Sequence, residues 1–116
     1  MDLGELEAEL RAILVPYEDV LESATIDGME VLRRPGAKAH DWFAGVRQKS
    51  GTVKLMLLPM HTHPELLEDI SPDLRKRKTG ASLLTLRAGD EALIEELEQL
   101  VQRSFDAYVG QPPGEG

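Results

Sequence analysis

The stretch between residues 52 and 87 decides how this chain folds. It begins with TVKLMLLPM (52–60), continues through the corner HTHP (61–64) and a basic loop, and ends with ASLLTLR (81–87). The first segment is almost continuously apolar from Val53 onward, which is typical of a strand in the middle of a sheet or beside the core. The sequence therefore predicts two core strands, at 52–60 and 81–87.

Helices are predicted at both ends of the chain. Apolar residues fall at helical spacing between residues 2 and 15, and Pro16 ends this helix because proline cannot donate the backbone hydrogen bond. A longer amphipathic helix is predicted at 91–109, with Asp90 as its cap. Each helix has one apolar face, so both need a sheet to cover.

Further strands are predicted before the central stretch, at 26–34 and 40–48. A short helix is expected at 64–70, and Ser71 is placed to cap the turn that follows. These elements predict an α+β fold: a mainly antiparallel sheet of four to five strands, with the N- and C-terminal helices packed on one face. One domain is expected over 1–110, followed by a disordered tail at 111–116 that is rich in proline and glycine.

Composition limits the classes of function. The chain of 116 residues has no cysteine, which excludes disulfides, thiolate metal sites and cysteine catalysis. It has no apolar run long enough to span a membrane and no visible secretory signal, so a cytoplasmic protein is predicted. With 13 basic and 21 acidic residues the net charge is −8. We therefore do not expect the chain as a whole to bind nucleic acid.

The sequence has no recognisable catalytic constellation. It contains neither a nucleophile elbow nor a glycine-rich phosphate loop, and carboxylate pairs such as Glu95 and Glu98 lie on the outer face of a predicted helix. We therefore expect a non-catalytic binding module for a metal ion or a small ligand. The alternative is a protein-interaction or homodimerisation domain that uses exposed leucine and methionine side chains of the 52–60 strand.

Two histidines form a candidate metal site. If the strand continues past residue 60, His61 and His63 point to the same side, where two imidazoles can bind a divalent metal. Glu65, Glu68 or Asp69 would supply the third ligand. The alternative interpretation is an exposed corner beside the start of a helix.

A basic run forms a second candidate site, made of Arg75, Lys76, Arg77 and Lys78. Clustered guanidinium and ammonium groups can bind a phosphate or an acidic partner. In a chain of net charge −8, the same run is also explained as a solvated loop that complements neighbouring acidic residues.

Several strand ends and loop motifs resemble those of the YdhG/YdeI-like family, a group of small domains of largely unknown function. The motifs are Leu57-Leu58-Pro59, Pro64-Glu65-Leu66-Leu67, Ser71-Pro72-Asp73-Leu74 and Lys78-Thr79-Gly80, followed by the C-terminal helix. The resemblance covers about residues 6–108 and implies an α+β sandwich similar to the frataxin fold. One branch of the family is regarded as an intracellular iron chaperone, so the resemblance also implies weak binding of iron or another divalent metal. The chain departs from the family at Leu83, Leu84 and Leu86, where relatives often have an aromatic residue.

The frataxin-like fold implies a third candidate site. Such proteins have an acidic ridge on the first helix and first strand, and by analogy the oxygen ligands here are Glu5, Glu9, Glu18, Asp19 and Glu22. The residues themselves show only that Asp2, Glu5 and Glu9 lie three to four positions apart, on one side of the predicted helix. A solvated helix face that complements the helix dipole is the alternative interpretation.

Overall fold

The structure is a computed structural model that describes residues 2–26, 28–37 and 41–110. Its helices are α1 (Leu3–Leu14), α2 (Pro59–Thr62), α3 (Pro72–Arg75) and α4 (Glu91–Gly110), with 3-10 turns at Val15–Tyr17 and Pro64–Leu67. Its strands are β1 (Glu22–Ile26), β2 (Met29–Arg33), β3 (Ala44–Lys49), β4 (Thr52–Leu57), β5 (Lys78–Gly80) and β6 (Leu83–Leu86). All strand pairs are antiparallel, in the order β1-β2-β3-β4-β6-β5. The predicted α+β class is confirmed, with six strands in place of four to five.

Side-chain alternation gives the sheet one face that packs on helices. Val46 in β3, Leu55 in β4 and Leu84 in β6 are neighbours across the sheet, so their side chains lie on the same face. They belong to one buried core with the apolar faces of α1 and α4, including Leu10 and Leu97. Both helices therefore pack on the same face of the sheet, as the amphipathic patterns predict.

The predicted strand at 26–34 is in fact the second half of a hairpin. β1 and β2 pair along their whole length, and Gly28 lies in the connection with a φ of +78°. Glycine adopts this left-handed conformation without the steric cost of a Cβ atom. The prediction missed β1 because its sequence ESATI (22–26) has few apolar residues. Asp27, also assigned to the predicted strand, lies outside the described residues.

The other predicted strands are shorter than expected. β3 begins at Ala44, and the predicted start at His40 lies outside the described residues. β4 ends at Leu57 because Pro59 begins helix α2, where proline loses no hydrogen bond. The short helix predicted at 64–70 is a 3-10 turn over Pro64–Leu67. The predicted strand at 81–87 is reduced to β6, and part of the basic loop forms β5.

Both predicted caps are confirmed. Asp90 Oδ1 accepts a hydrogen bond from the backbone N–H of Leu93 at 2.8 Å, and Ser71 Oγ accepts one from Leu74 at 3.1 Å. The Glu96 carboxylate in α4 accepts from the backbone N–H of Ser71 at 2.7 Å and from its hydroxyl at 2.6 Å. This carboxylate therefore connects the start of α3 to α4.

A buried ion pair connects the end of β2 to α4. Arg34 Nε and Nη2 donate to the two carboxylate oxygens of Asp41 at 3.1 and 3.3 Å, and the side chains are only 15% and 8% exposed. The guanidinium lies 4.5 Å from the ring centre of Tyr108, whose hydroxyl accepts the backbone N–H of Arg34 at 3.0 Å. Burial alone lowers the pKa of Arg34, but the hydrogen bonds to Asp41 and Tyr108 outweigh it and raise that pKa. The guanidinium therefore stays charged.

Candidate functional site

The face of the sheet that points away from α1 and α4 is cationic. Alternation along the strands puts Arg47 and Lys49 of β3, Lys54 of β4 and Arg87, directly after β6, on this face. Arg47 and Lys54 are direct cross-strand neighbours. All four are exposed or half-exposed, and we call them the cationic face.

Threonine hydroxyls lie among these cations. Lys54 is opposite Thr85 in β6, whose hydroxyl is hydrogen-bonded to that of Thr79 at 2.7 Å. Thr52 is opposite Lys49 and donates its hydroxyl hydrogen to the Lys49 carbonyl oxygen at 2.8 Å. Thr52 is buried, so the accessible hydroxyl groups beside the positive charge are those of Thr79 and Thr85.

Within the described ranges, no side chain of the cationic face has an ion pair or a side-chain hydrogen bond. Other arginines do have acidic partners, as in the pairs Arg33–Glu22 at 3.2 Å and Arg77–Asp73 at 2.9 Å. The sequence supplies the reason, since residues 42–64 and 74–89 contain no aspartate or glutamate. Three basic residues lie in the first range and five in the second, out of 13 in the chain. Positive charge is therefore concentrated in β3 to β6.

An apolar patch borders the cationic face. Val31 of β2 and Met56 of β4 are 2% and 5% exposed, yet neither belongs to the core beneath the helices. Gly45 lies between them, and a Cβ atom there would be 2.5 Å from the carbonyl oxygen of Glu30. The half-buried Leu83 is the cross-strand neighbour of Met56. This face of the sheet is thus buried at its apolar end and accessible at its basic end.

The basic run does not form a single cluster. Arg75 donates to the Leu67 carbonyl oxygen at 2.6 Å, and Arg77 pairs with Asp73. Lys76 is exposed, whereas Lys78 is half-buried in the edge strand β5. The two lysines extend the positive charge to the β5 edge of the sheet, while the two arginines are bonded within their own loop.

The geometry on which the histidine site was based is wrong. His61 lies in helix α2 and His63 directly follows it, so the chain is not extended there. The alternation that puts side chains two positions apart on the same side holds only for an extended strand. His63 Nδ1 is 3.0 Å from the hydroxyl oxygen of Thr62, its neighbour in sequence.

The carboxylates of the acidic ridge lie in two groups. Glu5 and Glu9 are exposed on α1, whereas Glu18 and Asp19 are exposed beyond the 3-10 turn at its other end. Helix α1 has 12 residues and is therefore about 18 Å long. Glu22 is bonded to Arg33. Among the residues that the structure describes, no three histidine or acidic side chains are grouped as a metal site would require, and metal binding stays a prediction.

Most of the apolar residues proposed for the interaction alternative are buried. Leu55, Met56, Leu57 and Met60 are inaccessible, and Leu58 is half-exposed. The expected exposed row of leucine and methionine side chains is therefore wrong. The exposed large apolar side chains in the described part of the chain lie elsewhere, at Val15, Val20 and Val109.

Sequence reasoning missed the cationic face because its members are up to 40 positions apart along the chain. Arg47 and Arg87 meet on one face only through the pairing of β3 with β4 and of β4 with β6. The absence of acidic residues from two long ranges was the available signal, and the net charge of the whole chain conceals it.

Comparisons with protein-family models, with curated proteins and with solved structures find no match to this chain. In the described ranges, no helix has both the length and the apolar character needed to cross a membrane.

Proposed function

We propose that this chain is a non-catalytic binding module that recognises an anionic partner on its cationic face. The observation that supports the proposal is the absence of acidic partners for Arg47, Lys49, Lys54 and Arg87 in the described structure, within a chain that has 21 acidic residues. Unpaired cations concentrated on one flat surface attract anions and orient them.

The placement of Arg47 opposite Lys54 has an energetic cost. Like charges at directly opposite positions of an antiparallel pair destabilise a sheet. A bound anion between the two side chains would turn this repulsion into attraction. A cost to folding that binding relieves is typical of a functional surface.

Replacing Lys54 by glutamate is therefore expected to stabilise the fold and to weaken binding. The new carboxylate opposite Arg47 removes the repulsion and adds a cross-strand ion pair, so the free energy of unfolding rises by about 0.5–1 kcal/mol. Affinity for inorganic polyphosphate falls by about tenfold or more, since each lost charge pair is a loss of about 1.4 kcal/mol or more. Urea unfolding and calorimetric titration measure the two effects.

Arg103→Glu is the matched control, because it makes the same change of net charge on α4, in the other layer. It should leave polyphosphate affinity within about twofold. Equal losses in both variants would mean that total charge, and not the cationic face, determines binding. A less stable Lys54→Glu protein would contradict the repulsion between Arg47 and Lys54.

Weak metal binding is a second candidate, supported by the exposed pair Glu5 and Glu9, one helical turn apart on α1 and without a cationic partner among the described residues. The proposed membership of the YdhG/YdeI-like family is compatible with the six-stranded sheet of this α+β fold. The metal proposal includes a cytoplasmic location for the protein. Carboxylate oxygen ligands suit hard divalent cations.

Amide NMR spectra recorded while ferrous iron is added without oxygen, and then zinc and manganese, test the metal proposal. Saturable broadening at Glu5 and Glu9 but not at His61 and His63 is expected, because His61 is in helix α2 and the two histidines are not on one face of an extended strand. Changes centred on the histidines would move the site to that corner. No saturable change at millimolar metal, on the order of the weakest calcium sites of proteins, would refute metal binding.

A further inference from the structure

We infer that the anionic partner is a nucleic acid, bound through its phosphates and not through its bases. The inference rests on the proposed function, since it specifies the partner of the same cationic face. The positions of the charges, the groups between them and the location of the aromatic side chains determine which polyanion fits.

The chemical groups on the face are those that bind phosphodiesters. Most contacts between proteins and nucleic-acid backbones come from arginine, lysine and hydroxyl side chains. Arg47, Lys54 and Thr85 form one row across β3, β4 and β6. Lys49 and Arg87 lie in the next row on either side of Thr52, which is buried and contributes no accessible hydroxyl. No aspartate or glutamate lies in the strands that form these rows.

The four residues of the cationic face run across the strands. An extended acidic peptide usually adds as a strand to an exposed edge, where Lys76 and Lys78 at β5 would meet it but these four residues would not. Here the charges cross from β3 to β6. The backbone N–H of Thr85 donates to the Arg77 carbonyl oxygen at 2.7 Å, which places Arg77 beside Thr85. The preceding residue, Lys76, therefore lies toward the end of the sheet where Arg87 follows β6. The rows are about 7 Å apart and the strands about 4.8 Å apart. A polyanion that crosses the strands can contact both rows.

The aromatic side chains indicate that the bases are not read. Tyr17, Phe43, Phe105 and Tyr108 contact one another on the helix side of the sheet, with ring centres 4.6–5.7 Å apart. The remaining aromatic residue of the chain is Trp42, which is half-buried just before β3. Sheets that read single-stranded bases stack two or three of them on aromatic side chains. Binding here is therefore electrostatic and independent of base sequence.

The net charge of −8 does not by itself oppose this inference, because β3, β4 and β6 contain no acidic residue and many of the exposed acidic side chains are in α1 and α4. Glu5, Glu9, Glu95 and Glu98 are exposed on α1 and α4, behind the sheet. Layers of a protein pack about 10 Å apart, and charges beyond about 8 Å are largely screened at physiological salt. The total charge of the chain conceals the local concentration of positive charge in β3, β4 and the end of β6.

Fluorescence anisotropy of a labelled thymidine homopolymer of about 20 nucleotides, titrated with the full chain at several salt concentrations, tests the inference. Neutralisation of four phosphates predicts that log K falls with log salt with a slope of about −3. Arg47→Gln should make the slope less steep by about 0.7 and Arg103→Gln should not change it. Adenosine and cytidine homopolymers should bind within about threefold of the thymidine polymer if bases are unread.

Different failures have different meanings. If poly-glutamate or inorganic polyphosphate binds the cationic face while no homopolymer binds, the partner is another polyanion, which overturns this inference and leaves the proposed function intact. If none of these polyanions binds, both are overturned. A strong preference for one homopolymer, or a salt slope that Arg47→Gln leaves unchanged, would contradict recognition through phosphates at this face. Unfolding midpoints of each variant show that the fold is retained.

Discussion

Replacing Asp41 by alanine is expected to lower the free energy of unfolding by about 3 kcal/mol. The carboxylate accepts two hydrogen bonds from Arg34, and both side chains are almost inaccessible to water. Without it a guanidinium remains in a poorly solvated place, stacked on the ring of Tyr108. Removing one partner of a buried pair costs more than the pair itself contributes, because the remaining charge keeps its cost of desolvation and loses the attraction that offset it.

Glu22→Ala is the matched control for this prediction. Glu22 also pairs with an arginine, Arg33, but the two side chains are 43% and 27% exposed. Its loss should lower the free energy of unfolding by less than about 1 kcal/mol, as is usual for surface pairs. Urea unfolding of the unmodified protein, Asp41→Ala and Glu22→Ala at neutral pH measures the two changes in the free energy of unfolding. Equal effects would show that burial does not determine the strength of the Arg34–Asp41 pair.

Replacing Gly45 by alanine is expected to destabilise the protein by about 2 kcal/mol. A Cβ atom at this position would lie 2.5 Å from the Glu30 carbonyl oxygen, 3.0 Å from a methyl group of Val31 and 3.1 Å from the end of Met56. Met56 can change its rotamer, but the carbonyl oxygen belongs to the backbone of β2. The two strands must therefore separate, and their ladder is aligned by a single pair, Leu32 with Ala44.

Gly4→Ala is the control for this second prediction. Gly4 lies in α1, where a Cβ atom meets only Asp2 Oδ1 at 3.4 Å. Alanine should raise the free energy of unfolding by up to about 1 kcal/mol, through its higher helix propensity. Thermal and urea unfolding measure both variants. A Gly45→Ala protein as stable as the unmodified chain would mean that β2 and β3 are not closely packed at this point.

The elements with one strong apolar pattern were the predictable part of the fold. The helix predicted at 91–109 matches α4, and the helix predicted at 2–15 matches α1, because each must bury a single apolar stripe. The capping roles of Ser71 and Asp90 followed from local hydrogen-bond chemistry. Local rules were sufficient wherever the stabilising contacts are close in sequence.

The edges of the sheet were not predictable in the same way. β1 has an alternating and largely polar sequence, and β5 has only three residues, so neither gives a strong apolar signal. Both are edge strands, paired on one side only. Helix α2 (Pro59–Thr62) was missed for a similar reason. Its first residue, Pro59, was predicted to end a strand, but it begins this helix. These elements are determined by tertiary pairing and by backbone chemistry more than by hydrophobic period.

The candidate site was even less accessible to sequence reasoning. Individual motifs such as the basic run and the two histidines were visible, but their side chains point in different directions or bond within their own loops. The cationic face depends on the register of three strands, and register cannot be derived from charge alone.

The segregation of charge gives the molecule an electric dipole along the normal to the sheet. Exposed acidic side chains of α1 and α4 lie at one pole, including Glu5, Glu9, Glu91, Glu95 and Glu98, and the cationic face lies at the other. In the field of a negatively charged body such a particle rotates before contact, so that its positive pole leads. The sheet thus meets a polyanion with its open face forward, although the molecule as a whole is an anion with a pI of about 4.8.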